Sequence, residues 1–223
     1  MPRHKLLPDS EVLDHALALM HARGPQALTF AALAAASGLA PATLVQRFGT
    51  KADLLRSALL HAWDRLERRT RELGAAAEPT PAGAVAFLSG LSEQYGGIDS
   101  YAEALLVLRE DLLDPEVRKR GAAWRGLLTT ELDRCLAGAP GAPPGIGEIV
   151  ATYWQGTLLW WGFDPQEAVV DHVGRALTGF LTAVLELPAA TTDPAPVDPA
   201  RPAGPDRDSA SPVSLTPPGA RPR

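Results

Sequence analysis

Glycine and proline interrupt this chain at short intervals, and between the interruptions the apolar residues recur with the period of a helix, not of a strand. Val12, Leu13, Ala16, Leu17 and Met20 make one stripe, which Gly24-Pro25 ends. Leu54, Leu55, Ala58, Leu59, Ala62 and Leu66 make another after Gly49-Thr50. No hairpin signal joins two alternating segments, so the fold class is all-α. The spacing predicts a first helix capped by Asp9 or Ser10, and a second capped by Thr29 and running over 30–36. A third covers about 41–48 and a fourth starts near Lys51. Further helices are expected at about 82–95, 100–113, 115–137, 146–161 and 165–187. Asp114-Pro115 supplies a start signal and the Gly/Pro-rich 138–145 a break.

Charge divides the chain more sharply than composition does. Residues 1–72 hold ten Lys/Arg against seven Asp/Glu and four of the five His, whereas residues 73–187 hold seven against fifteen. A mildly cationic head on an acidic body suits a polyanionic partner at one end only. Residues 188–223 contain ten of the 21 prolines and lack helical periodicity, and so read as a disordered tail. The expected organisation is a helix-turn-helix head over 1–50, a connecting helix over 51–73, a helical body over 74–187 and the tail.

Several function classes find no support in the residues. Cys135 is the sole cysteine, which excludes an intrachain disulfide and points to packing in a reducing, cytoplasmic setting. Pro8-Asp9-Ser10-Glu11 interrupts any secretory apolar run, and the apolar stretch 27–45 is largely alanine broken by Ser37-Gly38 and Ala40-Pro41, so no membrane span is expected. His15, His21 and His61 share no face with acidic or thiol partners at ligand spacing, so neither a metal nor a cofactor is expected. No nucleophile-base pair, G-x-S-x-G, H-E-x-x-H or phosphate-binding glycine loop is present, which leaves a helical enzyme as a minor alternative. Arg65, Arg68, Arg69 and Arg71 read as a solvated face of the fourth helix.

The head carries the functional signal. A short helix, a turn with glycine and a second short helix is the geometry that lets one helix brace another in a major groove. At 100° per residue, Pro41, Leu44 and Phe48 fall on one side of the third helix, and Ala42, Thr43 and Gln46 on the other. Val45 and Arg47 lie on the flanks between these faces, where a helix in a groove passes the phosphate walls, and Arg47 suits a phosphate there.

The run Leu28-Thr29-Phe30…Leu33-Ala34…Ser37-Gly38-Leu39-Ala40…Thr43-Leu44-Val45-Gln46-Arg47-Phe48-Gly49-Thr50-Lys51…Leu54-Leu55 resembles the DNA-binding domain of the TetR family. The likeness spans about residues 10–60 and implies a ligand-responsive transcriptional regulator, commonly a repressor. It implies that Thr29 and Lys51 meet phosphate, that Ala42, Thr43 and Gln46 approach bases, and that residues 146–187 form the four-helix bundle of a homodimer. Two positions depart from the family pattern: Val45 stands where the family usually has Tyr, and Arg47 where it has His or Tyr.

In the body, Phe87, Tyr101, Trp124, Tyr153 and Trp154 are candidates to line a site for a small apolar or aromatic effector, although plain core would look the same. Ile149, Tyr153, Leu158 and Trp161 in one helix, with Val169, Val173, Leu177, Phe180 and Val184 in the next, exceed what one buried side needs, so a second buried face, the dimer interface, is expected. The expected partners are double-stranded operator DNA, an effector and a second copy of the chain. A dimeric interaction module with a degenerate head is the alternative.

Overall fold

The computed structural model describes residues 7–186, and every regular element among them is helical. The proline-rich tail and the first six residues lie outside the described residues. The helices are α1 (Asp9–Arg23), α2 (Phe30–Ser37), α3 (Pro41–Phe48), α4 (Lys51–Ala76), α5 (Pro81–Ser92), α6 (Ile98–Leu113), α7 (Pro115–Leu136), α8 (Ile146–Phe163) and α9 (Val169–Glu186). Short 3-10 turns at Pro25–Ala27 and Glu93–Tyr95 join α1 to α2 and α5 to α6. Among the described residues no helix is long and apolar enough to cross a membrane.

Most boundaries follow the capping chemistry. The Thr29 hydroxyl accepts from the Ala32 amide at 3.0 Å, and Asp114 accepts from the Glu116 and Val117 amides to start α7. Thr50 and Asp53 form a reciprocal capping box at the head of α4. The first helix differs from expectation. Pro8 holds its N-cap position without a side-chain bond, and Asp9 is already the first helical residue, with its carboxylate turned to another task.

The fourth helix also runs on to Ala76, past residue 73, where the connecting helix was expected to end. A Cβ on Gly74 would come within 2.9 Å of the Glu131 side chain, and the Gly74 carbonyl accepts from Arg134. Gly74 therefore marks a close approach of α4 to α7, not a stop.

Two apolar cores result. One gathers Val12, Ala16, Leu17 and Met20 of α1 around Leu33, Leu44 and Leu54. It also takes in Val107 of α6 and Val117 of α7, so two helices of the body help to close the core of the head. The other gathers Phe87, Leu88, Trp124, Leu132, Val150, Trp154, Val173 and Leu177 from α5, α7, α8 and α9. Its buried tryptophans are satisfied: Trp124 donates to the Thr70 hydroxyl at 2.8 Å and Trp154 to the Ser92 hydroxyl at 2.9 Å.

Candidate nucleic-acid interface

The recognition geometry is set by what α3 buries. Leu44 is fully buried and Phe48 nearly so, against Leu33 of α2 and the apolar stripe of α1. The αL conformation of Gly38, φ 72°, turns the chain between α2 and α3, and the Gly38 amide caps the Ala34 carbonyl. Ser37 donates to the Leu33 carbonyl at 2.7 Å, which tightens the same corner. With that side anchored, Ala42, Thr43, Val45 and Gln46 are left exposed, as the helical spacing requires. Thr29 and Lys51, at the starts of α2 and α4, are exposed as well. Val45 is exposed on its flank and brings no group that could bond a phosphate there.

Arg47 behaves differently. Its Nε donates to Asp9 Oδ1 at 2.7 Å, a terminal nitrogen bonds the same oxygen, and that nitrogen also donates to the Leu7 carbonyl at 2.8 Å. The guanidinium sits 5.8 Å from the centre of the Phe48 ring. Its fork is thus filled from within the protein, by a carboxylate 38 positions away that no local sequence pattern could have nominated.

Behind this surface, α1 and α4 are joined through Asp14, which accepts from His61 at 2.8 Å and Arg65 at 2.6 Å. Burial alone would raise the carboxyl of Asp14, but the two hydrogen bonds and the nearby positive charges outweigh it and hold it below its ordinary range. Arg65 is therefore partnered, not simply solvated. The His21 imidazole, near Arg65, is pushed down by desolvation and by that charge. Among the described residues no group of histidine, cysteine and acidic side chains could hold a metal ion.

The body separates the five aromatic candidates. Phe87, Trp124 and Trp154 are packed into the core, with Trp124 and Trp154 at 6.5 Å between ring centres. Tyr153 lies on the outer surface, stacked on Phe180 at 4.0 Å. Tyr101 borders an open cleft of about 180 Å³, formed with Ile98, Ala102, Leu105, Leu159, Gly162 and Phe163 of α6 and α8.

The expected interface residues also divide, and five of them need correction. Leu158, Trp161, Val169, Val173 and Leu177 are buried inside the protomer, because α9 turns its whole i, i+4 stripe onto α5 and α8. They have nothing left to offer a second copy. Ile149 and Tyr153 are exposed, and Phe180 and Val184 half-buried. The outer face of α8 adds Trp160 and Phe163, 72% and 75% exposed, which the periodicity did not single out.

Residues 12–58 match the profile of the bacterial regulatory proteins, tetR family. A search of curated proteins gives no match. Among solved structures, a TetR family transcriptional regulator, PfmR, from Thermus thermophilus is 20% identical, with a TM-score of 0.57 over 77% of this chain and 97% of that one. A transcriptional regulator from Rhodococcus sp. Rha1 is 18% identical, with a TM-score of 0.61 over 81% of this chain and all of that one. The multidrug binding protein EbrR complexed with malachite green is 20% identical, with a TM-score of 0.56 over 75% of this chain and 94% of that one. At such identities the likeness to solved structures is one of fold. Residues 12–58 thus match the tetR family of bacterial regulatory proteins, and the described helices share the fold of these solved structures.

Proposed function

We propose that the chain is a ligand-responsive transcriptional repressor that binds a near-palindromic operator as a homodimer. The observation that carries this is the surface of α3: Ala42, Thr43 and Gln46 stand exposed on a short helix whose opposite side is locked by Leu44 and Phe48. Gln46 and Thr43 supply hydrogen-bonding groups for base edges, Ala42 a close apolar contact, and Thr29 and Lys51 a hydroxyl and a charge for the backbone. Two such heads, related by a dimer axis, would address successive major grooves. Selection from random double-stranded DNA by the purified protein tests this. An inverted repeat is the expected product, and recovery of no preferred sequence at any salt concentration would overturn the proposal.

The effector half of the proposal rests on the cleft at Tyr101. Its lining is apolar apart from the tyrosine hydroxyl, and its size suits a small, flat, largely apolar molecule. The structure of EbrR with malachite green supports an aromatic effector for a fold of this kind. A ligand that prefers the conformation with mismatched heads lowers operator affinity by linkage, and a 100-fold release needs about 2.7 kcal/mol of differential binding.

A further inference from the structure

We propose that Asp9 silences Arg47: its carboxylate fills the guanidinium fork that a DNA phosphate would otherwise occupy, and so lowers the attraction of the head for DNA of any sequence. The proposal rests on the DNA-binding function given above. Its ground is the geometry at the junction of α1 and α3. Arg47 projects from the flank of α3, one residue past Gln46, where a helix in the major groove runs beside a phosphate wall. The fork instead closes on Oδ1 of Asp9, with Nε at 2.7 Å, and on the Leu7 carbonyl at 2.8 Å. Carboxylate and phosphate compete for the same planar donors: Asp9 Oδ1 and the Leu7 carbonyl hold Nε and one terminal nitrogen, so the paired edge that would grip a phosphate with two parallel bonds is taken, and the other terminal nitrogen alone is left for it.

Exposure separates the two partners. The side chain of Arg47 is 19% exposed, tucked against Phe48, whereas that of Asp9 is 63% exposed on the rim of the same surface. The partner that a docking duplex would meet is therefore the carboxylate, which repels it. Asp9 also lies in the first turn of α1, where the helix dipole favours a negative charge and holds the carboxylate in place. Among the described residues Lys51 is in no ion pair, so it remains the charge beside the α3 surface that is available to a phosphate. The consequence is for specificity. Sequence-independent binding comes almost wholly from phosphate neutralisation, so silencing one cation per head weakens binding to bulk DNA while leaving the base-reading side of α3 intact.

Salt titrations of operator and random-sequence binding by the full chain decide the matter. Asp9→Asn frees Arg47 and is expected to tighten random-sequence binding and to steepen the dependence of log K on log salt by about 0.9 per head, about 1.8 per dimer. Arg47→Ala in the native background is expected to leave the slope unchanged, and Asp9→Asn with Arg47→Ala is expected to restore it. Asp9→Ser, which also removes the charge, is expected to act as Asp9→Asn does, with far-UV circular dichroism confirming that both variants are folded. A shallower slope for Arg47→Ala alone would show that Arg47 reaches phosphate despite Asp9, and weaker binding at an unchanged slope for Asp9→Asn would show a mere brace for α3. Either result overturns the proposal while DNA binding stands. Absence of binding by every variant to any DNA at low salt would instead overturn the DNA-binding function itself.

Discussion

An amide that reads adenine must present a donor and an acceptor side by side, and Gln46 is placed to do so from the exposed side of α3, opposite the buried Leu44. Gln46→Ala is expected to relax preference at one position in each half-site by about 1–3 kcal/mol, with backbone-driven affinity unchanged. Repeating the selection with the variant checks this, and recovery of the same motif at the same strength would remove Gln46 from the list of readers. The position of Gln46 was legible in the sequence because a face depends only on local helical geometry, and Leu44 and Phe48 fixed which face was buried. The fate of Arg47 was not. Its flank position follows from the helical period, but its partner comes from the start of α1, and a contact across 38 residues leaves no trace in either local pattern.

Between elements, the same limit applies to α4 and its neighbours. The starts at Thr29 and Asp114 were visible as residue types at the right spacing, whereas the continuation of α4 past residue 73 goes with the close approach of Gly74 to Glu131 of α7, which no local pattern carries. Asp111 of α6 shows the same limit, because its burial comes from packing between elements. Burial raises its pKa to about 6, against the lowering effect of a hydrogen bond from Trp63 of α4 and with a smaller raising effect from the charge of Glu110. Between the ordinary carboxyl pKa and about 6 the folded chain holds a proton that the unfolded chain has lost, so stability falls as pH rises through that window and the full penalty persists above it. Asp111→Asn removes the penalty and keeps an acceptor for Trp63. After discounting for partial exposure, it is expected to stabilise the protein by about 1 kcal/mol above pH 7, some 2–4 °C in Tm, with almost no effect near pH 4. Thermal unfolding of both proteins across this range tests the sign, and an equal or lower Tm for the variant at pH 8 would refute it.

At the scale of the whole molecule, the surplus of apolar residues in the last two helices signalled more burial than one surface strip provides, but the sequence could not apportion it. The stripe Val169, Val173 and Leu177 is consumed by the protomer's own core, and the unconsumed part lies mainly on α8, at Ile149, Tyr153 and Trp160. Stacking of Tyr153 on Phe180 ties that face to α9, so the two helices present one composite surface. Trp160 at 72% exposure, next to Phe163, is apolar area of the kind that protein partners cover. A glutamate placed on this face is solvated in a lone protomer, but in a symmetric dimer it becomes two buried, unpaired charges, each costing several kcal/mol. Ile149→Glu and Trp160→Glu are therefore expected to yield folded, helical monomers that lose operator binding, because one head makes half the contacts. Val173→Glu places its charge in the protomer core and is expected instead to lose helical signal altogether. Sedimentation and far-UV circular dichroism together separate these outcomes: dimers persisting with glutamate at both Ile149 and Trp160 would move the interface elsewhere, and a well-folded Val173→Glu monomer would return it to the buried stripe of α9.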